Sequence, residues 1–279
     1  MKKITMAAIG AFATVSALAA AVSEISVDMR LDESDYVAGE RVRAVVTVKN
    51  MSPDRISVGF PSSRDRLFVE VYRAHNMSEL TRMRDIPFVA KFRLDSNEGQ
   101  KLETFLADHF ALGECCRYLA RPVLVHNSTR YEGQYRAFDV VPGMELGGAL
   151  QIFDPKCADG LSREFRLVHW TRKGSEHLFV TAEDKGSKSG KWITHDIGSI
   201  MRITKPTISI LPTGEVVVIH RTNPDQFIRS EFWSLPNALE LRTRQLVQDP
   251  ETAGQTSIQN LYDSSGGVKP VDRPWWKFW

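Results

Sequence analysis

The chain has 279 residues, 42% hydrophobic and 25% charged, the composition of a globular protein with one or two domains. Its 36 Lys+Arg against 34 Asp+Glu give a formal net charge of +2, and both excess charges are Lys2 and Lys3. Without those two the balance is zero, which argues against a nucleic-acid partner, since that class shows a basic excess or stripe, although a local patch stays open.

The first 23 residues read as a secretory signal peptide. Met1-Lys2-Lys3 is a positive start, residues 4–18 are apolar and small, and Ala17 to Ser23 offers small residues for cleavage. The alternative is a retained anchor, but the run is rich in Ala and shorter than the ~20 residues needed to span a bilayer. No lipobox cysteine follows it. The mature chain is therefore expected to be exported, to the periplasm, the outer surface or the medium.

Residues 24–143 read as an immunoglobulin-like β-sandwich. Strands are expected at 25–31, 36–50, 55–60, 67–72, 88–94 and 131–141, separated by turn residues such as Pro61-Ser62-Ser63. The stretch 36–50 is the clearest. Gly39 suits a tight turn, and Val42, Ala44, Val46 and Val48 then alternate with polar neighbours. Leu102, Phe105, Leu106 and Phe110 follow helical spacing, so a short helix is expected over 97–110, capped by Ser96 or Asn97. Tyr118 opens an apolar strand just after a Leu-Gly turn. That is the pattern of a tyrosine corner, whose hydroxyl bonds back to the preceding loop.

Residues 144–163 are Gly- and Asp-marked and read as a connector. An antiparallel β region is expected over 164–248, with strands at 165–170, 177–182, 191–194, 207–211, 215–221, 227–233 and 239–246. Leu211-Pro212-Thr213-Gly214 predicts a hairpin. This rhythm fits a propeller blade, but the segment is too short for a closed propeller, which takes about four blades of roughly 40 residues. It is then two sheets face to face, a second small sandwich, or a continuation of the first domain. Residues 249–279 read as a flexible tail ending in an aromatic cluster, Trp275, Trp276, Phe278 and Trp279 around Lys277. Two readings stand side by side: a docking peptide for a protein groove or membrane interface, or a segment that folds back onto its own core.

The candidate site residues are few. His75, His109, His126, His169, His177, His195 and His220 make no H-x-H or H-x-x-x-H pair, so no metal site and no cofactor are expected. No catalytic elbow, P-loop or dinucleotide fingerprint is present. Trp170, Trp192 and Trp233 are the candidates for a sugar platform, with packed core the competing reading, and His195 is a further candidate binding residue. Ser187 to Trp192 matches a sialidase-type turn only loosely. Cys115 and Cys116 are too close for an ordinary bridge, which leaves Cys157 with either neighbour, Cys116 being the candidate.

YVAGE at 36–40, VRAVVTVKN at 42–50 and RYLARPVL at 117–124 together resemble the immunoglobulin-like domains of secreted bacterial proteins. His169-Trp170, EHLFV at 176–180, the Trp192 to Gly198 segment and KPTISILPTGEVVVIH at 205–220 resemble segments of uncharacterised exported bacterial proteins. The resemblance implies an all-β fold and export, and no catalytic residue. The expectation is a non-enzymatic envelope module for adhesion or assembly that binds a protein or a surface glycan. A carbohydrate-active or hydrolase-associated protein with a shallow site in 164–248 is the second reading. A protease-inhibitor-like module acting through loop 62–66 is the third.

Overall fold

A computed structural model describes residues 24–83, 86–153, 161–185, 192–235 and 238–247. The signal-peptide, aromatic-tail and Ser187 to Lys191 expectations lie outside these residues. The first half contains β1 (Ile25–Leu31), β2 (Asp35–Val37), β3 (Arg43–Asn50), β4 (Ile56–Val58), β5 (Arg66–Arg73), β6 (Ser78–Glu79), β7 (Phe92–Leu94), β8 (Glu98–Phe105), β9 (Arg117–His126), β10 (Thr129–Glu132) and β11 (Arg136–Val141). The second contains β12 (Met144–Ile152), β13 (Ser162–Arg172), β14 (Ser175–Lys185), β15 (Trp192–Ser199), β16 (Thr207–Ile210), β17 (Glu215–Asn223), β18 (Gln226–Leu235) and β19 (Ala238–Val247). The fold is all-β and sandwich-like. Among the described residues, no helix is long and apolar enough to cross a membrane.

In the first half, sheet β1-β3-β8 packs against sheet β2-β11-β9-β5-β6, with β10 paired to β9 and a small β4-β7 pair beside them. The alternation read from the sequence is the packing that forms. Val42, Ala44, Val46 and Val48 are buried with Met29, Val71, Tyr118 and Phe138 in one core. Tyr118 is fully buried, and its hydroxyl donates to the Glu114 carbonyl at 2.9 Å. The expected back-bond is therefore made, four residues upstream. Tyr118→Phe removes that bond alone and should lower stability by about 1 kcal/mol, read as a shift in the urea midpoint at unchanged slope.

The expected helix over 97–110 is absent. Residues 98–105 form β8, paired along β3 from Glu98 opposite Asn50 to Phe105 opposite Arg43, and only Leu106–Asp108 make a 3-10 turn. Asn97 sits at φ 64°, so the chain turns there instead of entering a helix. The tertiary partner decides the conformation. Leu102 and Thr104 are buried at a spacing of two while Glu103 between them faces outward.

The first part of the stretch expected as a connector is a strand. Residues 144–152 are β12, which pairs with β13 from Met144 opposite His169 to Ile152 opposite Ser162. Only Pro142 and Gly143 separate it from β11. The second half is two four-stranded sheets, β12-β13-β14-β15 and β16-β17-β18-β19, around a core that includes Phe165, Leu178, Val180, Val216, Val218 and Phe232. The two sheets pack face to face over this core.

Strand β14 explains how the halves meet. Leu178 to Ala182 are buried without alternation, which requires cover on both faces of the sheet. Leu178, Val180 and Ala182 face the second core. Phe179, between them, packs with Val168 against Val37 of the first half.

Candidate functional site

The segment 35–40 stitches the two halves together. Residues 35–37 add to β11 in parallel, and Glu40 then bridges to Thr194 on β15. The Thr194 N–H donates to the Gly39 carbonyl at 3.1 Å, and its hydroxyl donates to the Ala38 carbonyl at 2.6 Å. Gly39 is at φ 82°, and a Cβ on it would lie 2.8 Å from Trp192 Cβ and 2.9 Å from Thr194 Oγ1. Only glycine meets both the backbone angle and the approach. Gly39→Ala should destabilise by roughly 2 kcal/mol through strain and overpacking, measured by urea unfolding.

A partly buried ion cluster closes this seam. The Arg172 fork donates to Glu40 at 3.0 and 2.7 Å, and one arm also reaches the Asp35 carbonyl at 3.1 Å. Asp196 lies 3.7 Å from Arg172, and His177 Nδ1 is 3.0 Å from the same carboxylate. Burial pushes the Glu40 carboxyl above its usual range, with Arg172 pulling the other way. Burial works against the Arg172 charge, yet the Glu40 hydrogen bonds hold its pKa above the ordinary value. The β13–β14 turn carries Lys173 and Gly174 at φ 49° and 80°, as a type I′ hairpin turn needs, and Lys173 meets Glu33 of the first half at 2.8 Å.

An open cleft of about 630 Å³ lies over this turn, lined by Arg30, Asp32, Glu33, Tyr135, Arg136 and Lys173 among others. Its charges are largely spoken for. Arg136 pairs with Asp28 at 2.7 Å and donates to the Met29 carbonyl, while Asp32 accepts from the Tyr36 hydroxyl. The cleft is a junction groove lined by three cations, Arg30, Arg136 and Lys173, and two carboxylates, Asp32 and Glu33.

A second cluster lies on the outer face of the β16–β19 sheet. Trp233 is 45% exposed. Its indole N–H donates to Glu215 at 3.1 Å, and Arg242 donates to the same carboxylate oxygen at 2.5 Å. The Arg242 guanidinium carbon sits 4.8 Å from the Trp233 ring centroid. Arg242 reaches there because β19 carries one extra residue: Glu231 pairs with Thr243 and Phe232 with Leu241, which leaves Arg242 as a bulge. One register step away, Glu231 accepts from Arg229 at 2.8 Å and from the Thr243 hydroxyl at 3.0 Å.

The residues singled out from the sequence fall in different places. Trp170 packs beside the Val37–Val168–Phe179 contact, and Trp192 packs on the first core. They share one face of the sheet, but register puts Trp170 opposite His177 and Trp192 opposite Glu183, near opposite ends of β14. His195 points into the second sandwich, where Nε2 donates to the Leu239 carbonyl at 2.8 Å and burial holds its pKa below the ordinary value. The structure therefore does not bring these three together. Trp275, Trp276, Phe278 and Trp279 lie outside the described residues. Cys115 and Cys116 make no bridge to each other, and Cys157, the candidate partner of Cys116, lies outside the described residues. Among the described residues, no group of three or more His, Cys, Asp or Glu side chains is placed to hold a metal ion.

The bulge that carries Arg242 over Trp233 has no signal in the sequence, because strand alternation gives parity only and an extra residue resets it. The Glu40–Arg172 pair spans 132 residues and is equally silent.

No protein-family model matches the chain, and no curated protein matches it. Among solved structures it aligns with Spo0M, a sporulation control protein from Bacillus subtilis, over 87% of this chain and 98% of that one. The identity is 9% and the TM-score 0.31.

Proposed function

We propose that this chain is an exported, non-enzymatic binding protein of the cell envelope, built on an immunoglobulin-like sandwich followed by a second sandwich. The observation that carries the reading is the exposed apolar surface of the second half. Leu150, Ile152, Trp233, Leu241 and Leu246 are all open to solvent, on strands of a well-packed body. They fall on both sheets of that half, Leu150 and Ile152 on β12 and the other three on β18 and β19, and exposed apolar side chains are what a partner surface draws on. The Tyr118 back-bond supports the immunoglobulin-like assignment, and the basic, Ala-rich leader supports export. The partner is a protein or glycan of the envelope. The C-terminal aromatic cluster is a second contact, to a protein groove or a membrane interface.

An envelope pull-down with residues 24–279 and with residues 24–274 tests this. Saturable retention of an envelope component by the longer form, with no turnover of it, is the expected result. Loss of that retention in the shorter form assigns the contact to the tail, and equal retention assigns it to the β-domains. No retention by either form, together with turnover in a glycoside or peptide substrate screen, removes the binding reading and favours a hydrolase-associated one.

A further inference from the structure

We propose that the aromatic segment 275–279 docks back on the outer face of β18 and β19, with Lys277 on Glu240 and its rings beside Trp233 and Leu235. The chain's own tail then masks this face until a partner displaces it. The masking rests on the binding-protein reading; the docking does not. The face calls for one cation and for apolar cover. Trp233 and Leu235 are two apart on β18, point the same way and are both exposed. Strand pairing sets a carboxylate on either side of the Trp233 ring, Glu215 on β17 and Glu240 on β19. Glu215 is met by Arg242, whose guanidinium also lies over the ring, and Glu231 is met by Arg229 and Thr243. Glu240 is exposed, and among the described residues no donor or cation meets it. One uncompensated carboxylate is left beside two exposed apolar side chains. β19 is an edge strand of its sheet, so the face is open to approach from that side.

The segment 275–279 has the complementary composition, four aromatic rings around one lysine. Such rings gain by leaving water for an apolar surface, and a ring on Trp233 adds an edge or stacking contact. A lysine placed between a tryptophan and a carboxylate is attracted by both. The segment is also tethered to the strand that carries Glu240. Residues 248–274 separate it from Val247, and those 27 residues span up to roughly 90 Å when extended. Glu240 lies seven residues back along β19, about 23 Å at the rise of a strand, so the return is well within reach. Tethering raises the local concentration of the segment to about the millimolar range, so a contact too weak for a free peptide is populated here. The outward contact proposed for the tail then requires its release from this face.

The test couples carboxylates to amines in residues 24–279 with a zero-length carbodiimide and locates the new amide by peptide mass spectrometry. Expected is a link from Lys277 mainly to Glu240, in a product with the mass of one chain. Trp233→Ala and Trp275→Ala/Trp276→Ala leave both reactive groups in place and should each cut its yield several-fold. Glu240→Lys and Lys277→Glu should each abolish it, and the double swap should restore it. Unchanged urea midpoints in the variants show that folding is intact. Lys277 links spread over many carboxylates, or a link kept in full by Trp233→Ala, overturn the docking. So does a link found only in products with the mass of two chains, because the occupant is then a second copy. The envelope pull-down separates the two readings. More envelope component retained by residues 24–274 than by residues 24–279, together with the link in the longer form, supports the masking; equal or lower retention by the shorter form removes it. No link, with an envelope component still captured, ends the docking and leaves the binding-protein reading standing. A link with no capture by either form does the reverse.

Discussion

Arg163→Leu is expected to destabilise the second sandwich by about 3–5 kcal/mol, the largest single-residue effect in the molecule. Arg163 is 0% exposed. Its Nε and one terminal nitrogen form a two-pronged pair with Asp184 at 2.6 and 3.1 Å. The other terminal nitrogen donates to the Ser234 hydroxyl at 3.0 Å and to the carbonyls of Leu235 and Ala238 at 2.8 and 2.9 Å. Those last three acceptors flank the β18–β19 turn, so one side chain on β13 anchors the opposite sheet. Leucine fills part of the volume but leaves the buried Asp184 carboxylate and the Leu235 and Ala238 carbonyls without their donor. Arg163→Lys should recover only part of the loss, because a point charge cannot reproduce the planar fork. Urea unfolding of the single variants and of Arg163→Leu/Asp184→Leu decides the matter. The double variant should lose less than the sum of the two single changes, since it removes the stranded charge along with the arginine. A loss below about 1 kcal/mol for Arg163→Leu would show that the interior relaxes or hydrates, and the anchoring role would be wrong.

Particular residues show what was legible in the sequence. Val42 just before β3 and Ala44, Val46 and Val48 on it face their core as alternation requires, because that sheet has one dry side. Tyr118 was legible with its bond, since a corner is a local device spanning four residues. Gly39 was legible as a turn but not as a close contact, because Trp192 and Thr194 approach from the other half of the chain. The 97–110 segment was misread for the same reason. Its apolar spacing fits a helix in isolation, and β3 supplies a row of backbone partners that a single sequence does not display. The candidate site depends on two facts of register, the pairing of β17 with β18 and the bulge in β19. Tryptophan identity alone did not separate Trp233, which is exposed, from Trp170 and Trp192, which are packed between the halves.

His220 makes the fold acid-labile in a defined window. The side chain is 1% exposed on the inner face of β17. Burial pushes its pKa down to about 4, the Arg244 guanidinium adds to that, and the Ser199 backbone and Asp196 carboxylate oppose it. In the unfolded chain a histidine titrates near 6.5. Between those two values the unfolded state binds a proton that the folded state refuses, so stability rises with pH across the window. The contribution is fully present above about pH 6.5, is lost on acidification toward pH 4, and amounts to about 3 kcal/mol for this group. His109, His169 and His195 are shifted in the same direction, chiefly by burial, and steepen the slope. Glu40 works against it. Its raised pKa means that the folded state holds a proton that the unfolded state has released, so its term weakens as pH rises through the carboxylate range. Carboxylates held low by arginines, such as Asp28 and Glu70, lose their contributions only at lower pH, below the histidine window. Urea unfolding at half-unit steps from pH 7.5 to 4.5 should therefore show a steep fall below pH 6.5. His220→Phe, which keeps an aromatic ring and removes the titration, should flatten that fall while leaving the residual slope of the other three histidines. An identical slope in the variant would mean that His220 is solvated or paired in the folded protein, and its burial would no longer account for the acid response.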